Sequence, residues 1–210
     1  MISIKVKYIM RVFVLVSHGF TTSKIKDFYK AGRLDIAIHS IIHAFFISNG
    51  LRKDVEFNLL LYGPPKPPKR IKIVSNLETP WSKKDVGSLI RIALWKHEKG
   101  KKEVLKGVYV DEKGLEEVLE EYKDFKIFIL EKNGKNVEEV KLEKNSVFVL
   151  GDFLGLEKEH FEIAKKYGEI ISLGNTVYFT SQCIAILNYI YDKNFGCEYW
   201  DTSFKFKINF

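Results

Sequence analysis

The sequence predicts an α/β fold built as a mainly parallel sheet with helices on both faces. Three observations predict it. Strand-like and helix-like segments alternate, most cleanly over the last third of the chain, and such alternation implies crossover connections between parallel strands. Within RVFVLVSH, residues 12–16 (VFVLV) are apolar without a polar face, as in a strand buried on both sides. Hydrophobic residues make up 46% of the 210, enough to fill the core of a single domain over 1–210.

The elements follow in order. RVFVLVSH, 11–18, is the first strand. RLDIAIHSIIHAFFISNG, 33–50, is a helix whose residues Leu34, Ile38, Ile41, Ile42 and Phe45 form one stripe, with Asn49-Gly50 as its closing cap. VEFNLLLYG, 55–63, is a strand. All five prolines lie between 64 and 80, and PPKPPKR is an extended strap that cannot be a central strand. KIVSN, 72–76, is a short strand, the segment from about 83 to 98 a helix with a basic outer side, GVYV a strand and GLEEVLEEYKDF an acidic helix. KIFIL, 126–130, is a strand and NGKN, 133–136, a hairpin-like turn. SVFVLGDF, 146–153, is a strand, LEKEHFEIAKKYG a helix capped by Gly168, and EIISLG a strand. TSQCIAILNYIYD is the last helix, with Thr180 or Ser181 as N-cap.

Composition bounds the function. Two cysteines, Cys183 and Cys197, are too few for a disulfide scaffold, which makes a reduced cytoplasmic setting the default. No apolar run reaches the length of a membrane span, so no membrane partner is expected. The first residues are basic and apolar but lack a small-residue cleavage site; residues 1–10 read as an N-terminal leader, and Met1 and Met10 both stand as candidate starts. Abundant Lys, Glu and Ile lean thermophilic. The net charge of +7 favours a polyanionic partner.

In a parallel sheet ligands sit at the C-terminal ends of strands. Three such ends carry glycine nearby: Leu130 to Gly134, Leu150-Gly151-Asp152-Phe153, and Ser172-Leu173-Gly174-Asn175. Glycine lets a ligand approach the main chain. The standard chemical motifs are missing. There is no GxGxxG after the first strand, no GxxxxGK[ST], no CxxC and no HExxH. His39 and His43 have ligand spacing but no evident third ligand, so no metal is expected. With Asp35 they form a row along the helix, read either as a polar seam or as a side facing a functional cleft. Ser17-His18 has no supporting motif for a hydrolase triad. Cys183 has apolar neighbours and no cation to activate it. Basic residues concentrate at Lys66, Lys69, Arg70 and Lys72, along Lys83 to Lys102 including Arg91, and at Arg33, Arg52 and Lys53, with Trp81 and Trp95 among them. Cations beside aromatic faces suit RNA.

Strand-Leu-Glu, strand-Leu-Gly-Asp-Phe-x-Gly, and Ile-Ser-Leu-Gly followed by a helix resemble the SPOUT class of RNA methyltransferases. RVFVLVSH and the stretch from GRLDIAIHS through GPPKPPKRI are similar to the archaeal tRNA pseudouridine-54 N1-methyltransferase family, over residues 11–210. The resemblance implies a C-terminal trefoil knot over about 126–192 that binds S-adenosylmethionine (SAM) as methyl donor, and a homodimer whose sites the partner completes. It also makes about 64–102 an RNA-contacting strap and helix. It carries cofactor contact onto Leu130, Gly151, Leu173, Gly174 and Cys183, with Val177, Tyr178 and Phe179 in the last loop; whether Cys183 would act by side chain or backbone stays open. It marks Asp35, with Arg33 and His39, as the acidic match. Asp54 is a second candidate catalytic carboxylate, and the two stay unranked. Lys66, Lys69, Arg70 and Arg91 are expected to hold tRNA. The same residues would serve a ribosomal RNA relative, and an RNA-binding module without catalysis is the alternative from another class.

Overall fold

The computed structural model describes residues 10–79, 84–100 and 102–202. Residues 1–9 of the leader, Trp81, Lys83 and Lys101 therefore lie outside the described residues, while Met10 opens the first strand. The strand β1 (Met10–Ser17) is the centre of the fold. Its side chains alternate between two cores: Phe13 and Leu15 enter one, Val12, Val14 and Val16 the other. That explains the unbroken apolar run, since both faces of the strand are covered.

The chain continues through α1 (Leu34–Phe45), β2 (Phe46–Ile47), β3 (Gly50–Arg52), β4 (Val55–Leu61), β5 (Lys69–Val74), α2 (Val86–Glu98), β6 (Glu103–Leu105) and β7 (Val108–Asp111). It then forms α3 (Leu115–Glu121), β8 (Lys126–Asn136), β9 (Asn145–Gly151), α4 (Lys158–Ala164), β10 (Glu169–Ser172), α5 (Thr180–Phe195) and β11 (Tyr199–Asp201). Among the described residues eight strands form one sheet in the order β10-β8-β9-β1-β4-β5-β7-β6. The pairs from β10 to β4 are parallel, and β5, β7 and β6 extend the sheet antiparallel. Helices α1, α2 and α5 cover one face, α3 and α4 the other.

Four phenylalanines share one register across the parallel strands. Phe128, Phe148, Phe13 and Phe57 sit side by side on β8, β9, β1 and β4. Their ring centroids are 5.7, 5.6 and 6.5 Å apart in that order, and each ring is buried. Such cross-strand aromatic neighbours lock the register.

A buried ionic knot holds the opposite end of the sheet. Arg11, with no exposed surface, donates to Asp54 from Nε (3.0 Å) and a terminal nitrogen (2.7 Å). Its other terminal nitrogen donates to Asn188 (2.9 Å) and Asp192 (2.6 Å), so the second half of α5 is tied to β1. Arg52 reaches the same Asp192 at 2.8 Å.

Several local expectations are corrected. Asn49-Gly50 does not cap α1. The helix ends at Phe45 and the chain forms a β2–β3 hairpin, because β11 arrives from far along the sequence to pair with β3. Gly50 is buried there, where a Cβ would stand 2.5 Å from the Tyr199 ring. The strand after the prolines begins earlier than expected, at Lys69, and takes an interior position between β4 and β7; the prolines stay outside the ladder. NGKN is not a hairpin turn. Ile129 and Lys135 face the consecutive residues Ile170 and Ile171, so 130–134 bulge out of β8. Gly134 permits this, since a Cβ there would meet Ile171 backbone at 2.3 Å. Gly168 is not the cap of α4; Lys165 is. Phe179, not Thr180 or Ser181, is the N-cap of α5. The Thr180 hydroxyl instead donates to the Gly151 carbonyl (2.9 Å), and Gln182 accepts from the Phe179 N–H (3.0 Å). Both cysteines are free.

Candidate functional site

The C-terminal ends of β8, β9 and β10 and the start of α5 enclose a cavity of about 510 Å³. The bulge of β8 supplies the first wall through Leu130, Glu131 and Lys132. The second wall is the turn after β9. There a Cβ on Gly151 would lie 2.1 Å from the Gly155 carbonyl carbon, so only glycine allows the two backbones to touch. The third wall is the stretch after β10. Gly174 has φ +100 and nothing within 4 Å of its Cβ position, which leaves backbone open to the cavity. The Ser172 hydroxyl holds this turn, accepting from the Gly174 N–H at 3.0 Å. Leu130, Gly151, Leu173, Gly174, Val177, Tyr178, Phe179 and Cys183 all line this one cavity. Cys183 is a wall residue with an inert thiol, which burial pushes up to about 11.

A volume of this size suits a small-molecule cofactor, and the walls are mostly apolar side chains and main chain. One exception is Glu131, whose carboxyl burial holds above its ordinary value. A half-buried acid in a cavity favours a cationic or hydroxyl-bearing ligand.

Asp152, side chain almost fully buried, is the other acid of the cavity. Its carboxylate accepts from the His18 N–H (2.8 Å), from the Leu154 N–H (3.1 Å) and from the His18 ring at Nδ1 (3.0 Å). The Nε2 side of the same ring meets Glu157 at 2.9 Å. Burial opposes charge on this imidazole, but the hydrogen bonds to Glu157 and Asp152 outweigh it and raise its pKa. None of these three was marked from sequence as a site residue. The signal was there: His18 follows one buried parallel strand and Asp152 another, and ligands collect at that edge.

The remaining predicted residues separate. Arg33 and Asp35 form a bidentate pair (3.0 and 3.1 Å) at the start of α1, and Ile36, the next residue, lines the cavity. The Arg33 guanidinium lies 4.3 Å from the Tyr29 ring and 5.5 Å from that of Phe153 on the cavity rim. His39 is exposed one turn along α1. Asp54 is elsewhere. It pairs with Arg11 at the N-terminal end of β1, about 20 Å from the cavity by the rise of the strand. Arg70 is also engaged elsewhere: it is buried, and Asp111 and Glu121 (2.7 Å) take three of its five N–H donors and compensate its charge. Lys69 is buried as well, whereas Lys66 and Arg91 are exposed. Among the described residues no cluster of three ligating side chains could hold a metal, and no helix is long and apolar enough to cross a membrane.

Comparison with known proteins bears on these features. Residues 10–195 match the family model described as "Putative SAM-dependent RNA methyltransferase". A Pyrococcus abyssi protein named tRNA (pseudouridine(54)-N(1))-methyltransferase is 34% identical over 200 residues, covering 88% of this chain and 98% of that protein. The Methanocaldococcus jannaschii protein of the same name is 35% identical over 208 residues, covering 90% and 100%. Among solved structures, Archaeoglobus fulgidus Nep1 bound to S-adenosylhomocysteine aligns with a TM-score of 0.57 at 12% identity, over 88% of this chain and 97% of that one. At that identity the likeness shows the shared fold.

Proposed function

This chain belongs to the family of SAM-dependent RNA methyltransferases that includes the archaeal tRNA (pseudouridine(54)-N1)-methyltransferases, and we propose that it methylates N1 of pseudouridine 54 in tRNA at the cavity between β8, β9 and β10. The observation that carries the site is the meeting of three glycine-bearing strand ends on one mostly apolar cavity.

When bound, SAM supplies an electrophilic methyl group. The chain's part is to bind, orient and exclude water. The turns at Gly151 and Gly174 offer main chain to a flat ligand, and Leu130, Leu173 and Cys183 offer apolar surface. Glu131 offers a negative charge to a cationic one. Pseudouridine keeps an N1–H that uridine lacks, and this proton must leave as the N–C bond forms. We assign Asp35 to orient that N–H or to take its proton; the support is its position in the first turn of α1, beside the cavity-lining Ile36. The base must leave its stack to enter. Arg33, Tyr29 and Phe153 present cationic and aromatic faces at the rim, and exposed Lys66 and Arg91 present charge for phosphates.

The reading extends to a homodimer with a knotted C-terminal region, acting in the cytoplasm as one domain. The support for the dimer is the apolar rim: Leu154, Val177 and Phe179, which line the same cavity, are 64%, 78% and 73% exposed, as at a surface that a partner covers. The strap and helix of about 64–102 would then lie on the RNA side.

Calorimetry with SAM and a methyl-transfer assay test the proposal. The expected result is SAM binding, and transfer to tRNA carrying pseudouridine at position 54 but not to the same tRNA carrying uridine there. Equal transfer to both, or preferential transfer to a ribosomal RNA fragment, would overturn it.

A further inference from the structure

The His18 cluster is not used by the methyl-transfer chemistry, yet it holds one wall of the cavity, the turn after β9. Asp152 is joined to His18 by its main chain and its ring, to Leu154 through the N–H, and to Gly155 by an isolated backbone bridge with a 3.1 Å hydrogen bond. Glu157 closes the far end of the same loop, immediately before α4. One imidazole therefore staples the loop at both ends. The groups that face it are Asp152 from the end of β9 and Glu157 and His160 from the start of α4, while Arg33 faces Asp152 from the turn before α1. Phe153 packs edge-on at 6.1 Å.

We propose that His18 is a positioning residue, a proton-dependent latch that in its doubly protonated form fixes the 151–157 loop against the cofactor cavity. An imidazolium has two N–H donors and can serve both carboxylates; a neutral imidazole has one. Asp152 is buried and offers the better acceptor, so loss of one proton leaves an Nε2 lone pair facing the Glu157 carboxylate. Those two groups repel, Glu157 swings to water, and the loop is held at one end only. The sign follows from the raised pKa of His18: the latch is present at low pH and is lost as pH rises through the folded-state value. By linkage, a ligand that needs the closed loop raises the same pKa.

The link to SAM rests on the cofactor reading above, so two measurements are made. Amide hydrogen exchange on the free protein reports the loop, and calorimetry across the same pH range reports SAM affinity. Protection at Leu154 and Gly155 is expected to fall about fivefold as the His18 ring titrates, the worth of one half-exposed charge-assisted hydrogen bond. SAM affinity is expected to weaken by a similar factor over the same window. Glu157→Gln should move both steps to lower pH, because it removes one of the two raising charges, and His18→Gln should abolish them. Should His18→Gln fail to fold, the wild type and Glu157→Gln carry the test. The proposal is overturned if the ring titrates by NMR while loop protection stays flat, or if the step survives in His18→Gln. A protection step without SAM binding at any pH would uphold the latch and overturn the cofactor reading.

Discussion

Asp54→Ala separates a structural carboxylate from a catalytic one. The substitution takes the acceptor from two donors of Arg11, which has no exposed surface. Breaking a buried ion pair costs about 3–5 kcal/mol. Asn188 and Asp192 remain on the other terminal nitrogen, and the Asp54 side chain is 11% exposed, so water can reach the vacated side. The low end applies, about 3 kcal/mol. For a chain of this length each kcal/mol moves the midpoint about 2–4 °C, which gives a fall in Tm of about 6–12 °C. The cavity lies at the other end of the strands, so SAM affinity at 25 °C should stay within about twofold. Thermal unfolding by circular dichroism and calorimetry on the same preparation decide it. An unchanged Tm with lost methyl transfer would refute the assignment and return Asp54 to the active site.

Four further outcomes are expected. Asp35→Asn should lower turnover at saturating RNA and SAM by about a hundredfold and leave SAM affinity intact; wild-type turnover would remove Asp35 from the mechanism. Gly151→Ala drives a methyl into the Gly155 and Leu156 backbone at 2.1 and 2.5 Å, so the turn must shift and SAM affinity should drop about tenfold in calorimetry. Lys66→Ala should reduce the slope of log affinity for tRNA against log salt by about 1, whereas Arg70→Ala should leave the slope alone and lower Tm. Burial holds the Glu131 carboxyl above its ordinary value, so its charge costs stability once pH passes the unfolded value; Glu131→Gln should melt higher at neutral pH and bind SAM more weakly.

Reading from sequence succeeded where a segment's own pattern settles the outcome. The β1 run is apolar on both faces and became the central strand. The glycine-bearing strand ends met at one cavity because parallel strands bring their C-terminal ends to a common edge. It failed where a distant partner overrides the local signal. Asn49-Gly50 is a good cap in isolation, but pairing with 199–201 made it part of a hairpin. NGKN is a good turn in isolation, but β10 draws Lys135 and Asn136 back into the sheet and turns the intervening residues into a wall of the site.

The same division holds for the side chains. A sequence records that Arg70 and Asp54 are charged; it does not record that Asp111 and Glu121 surround the one and Arg11 the other. Residue type, local motifs and strand ends thus determined the fold class, the family resemblance and the glycine-bearing cavity walls, because each is carried by residues close together along the chain. The pairing of charges, the interior place of the strand after the prolines and the clamp of Asp152 and Glu157 on His18 were decided only by tertiary structure. Each joins groups far apart in sequence, and Coulomb and hydrogen-bond energies depend on distances that folding alone creates.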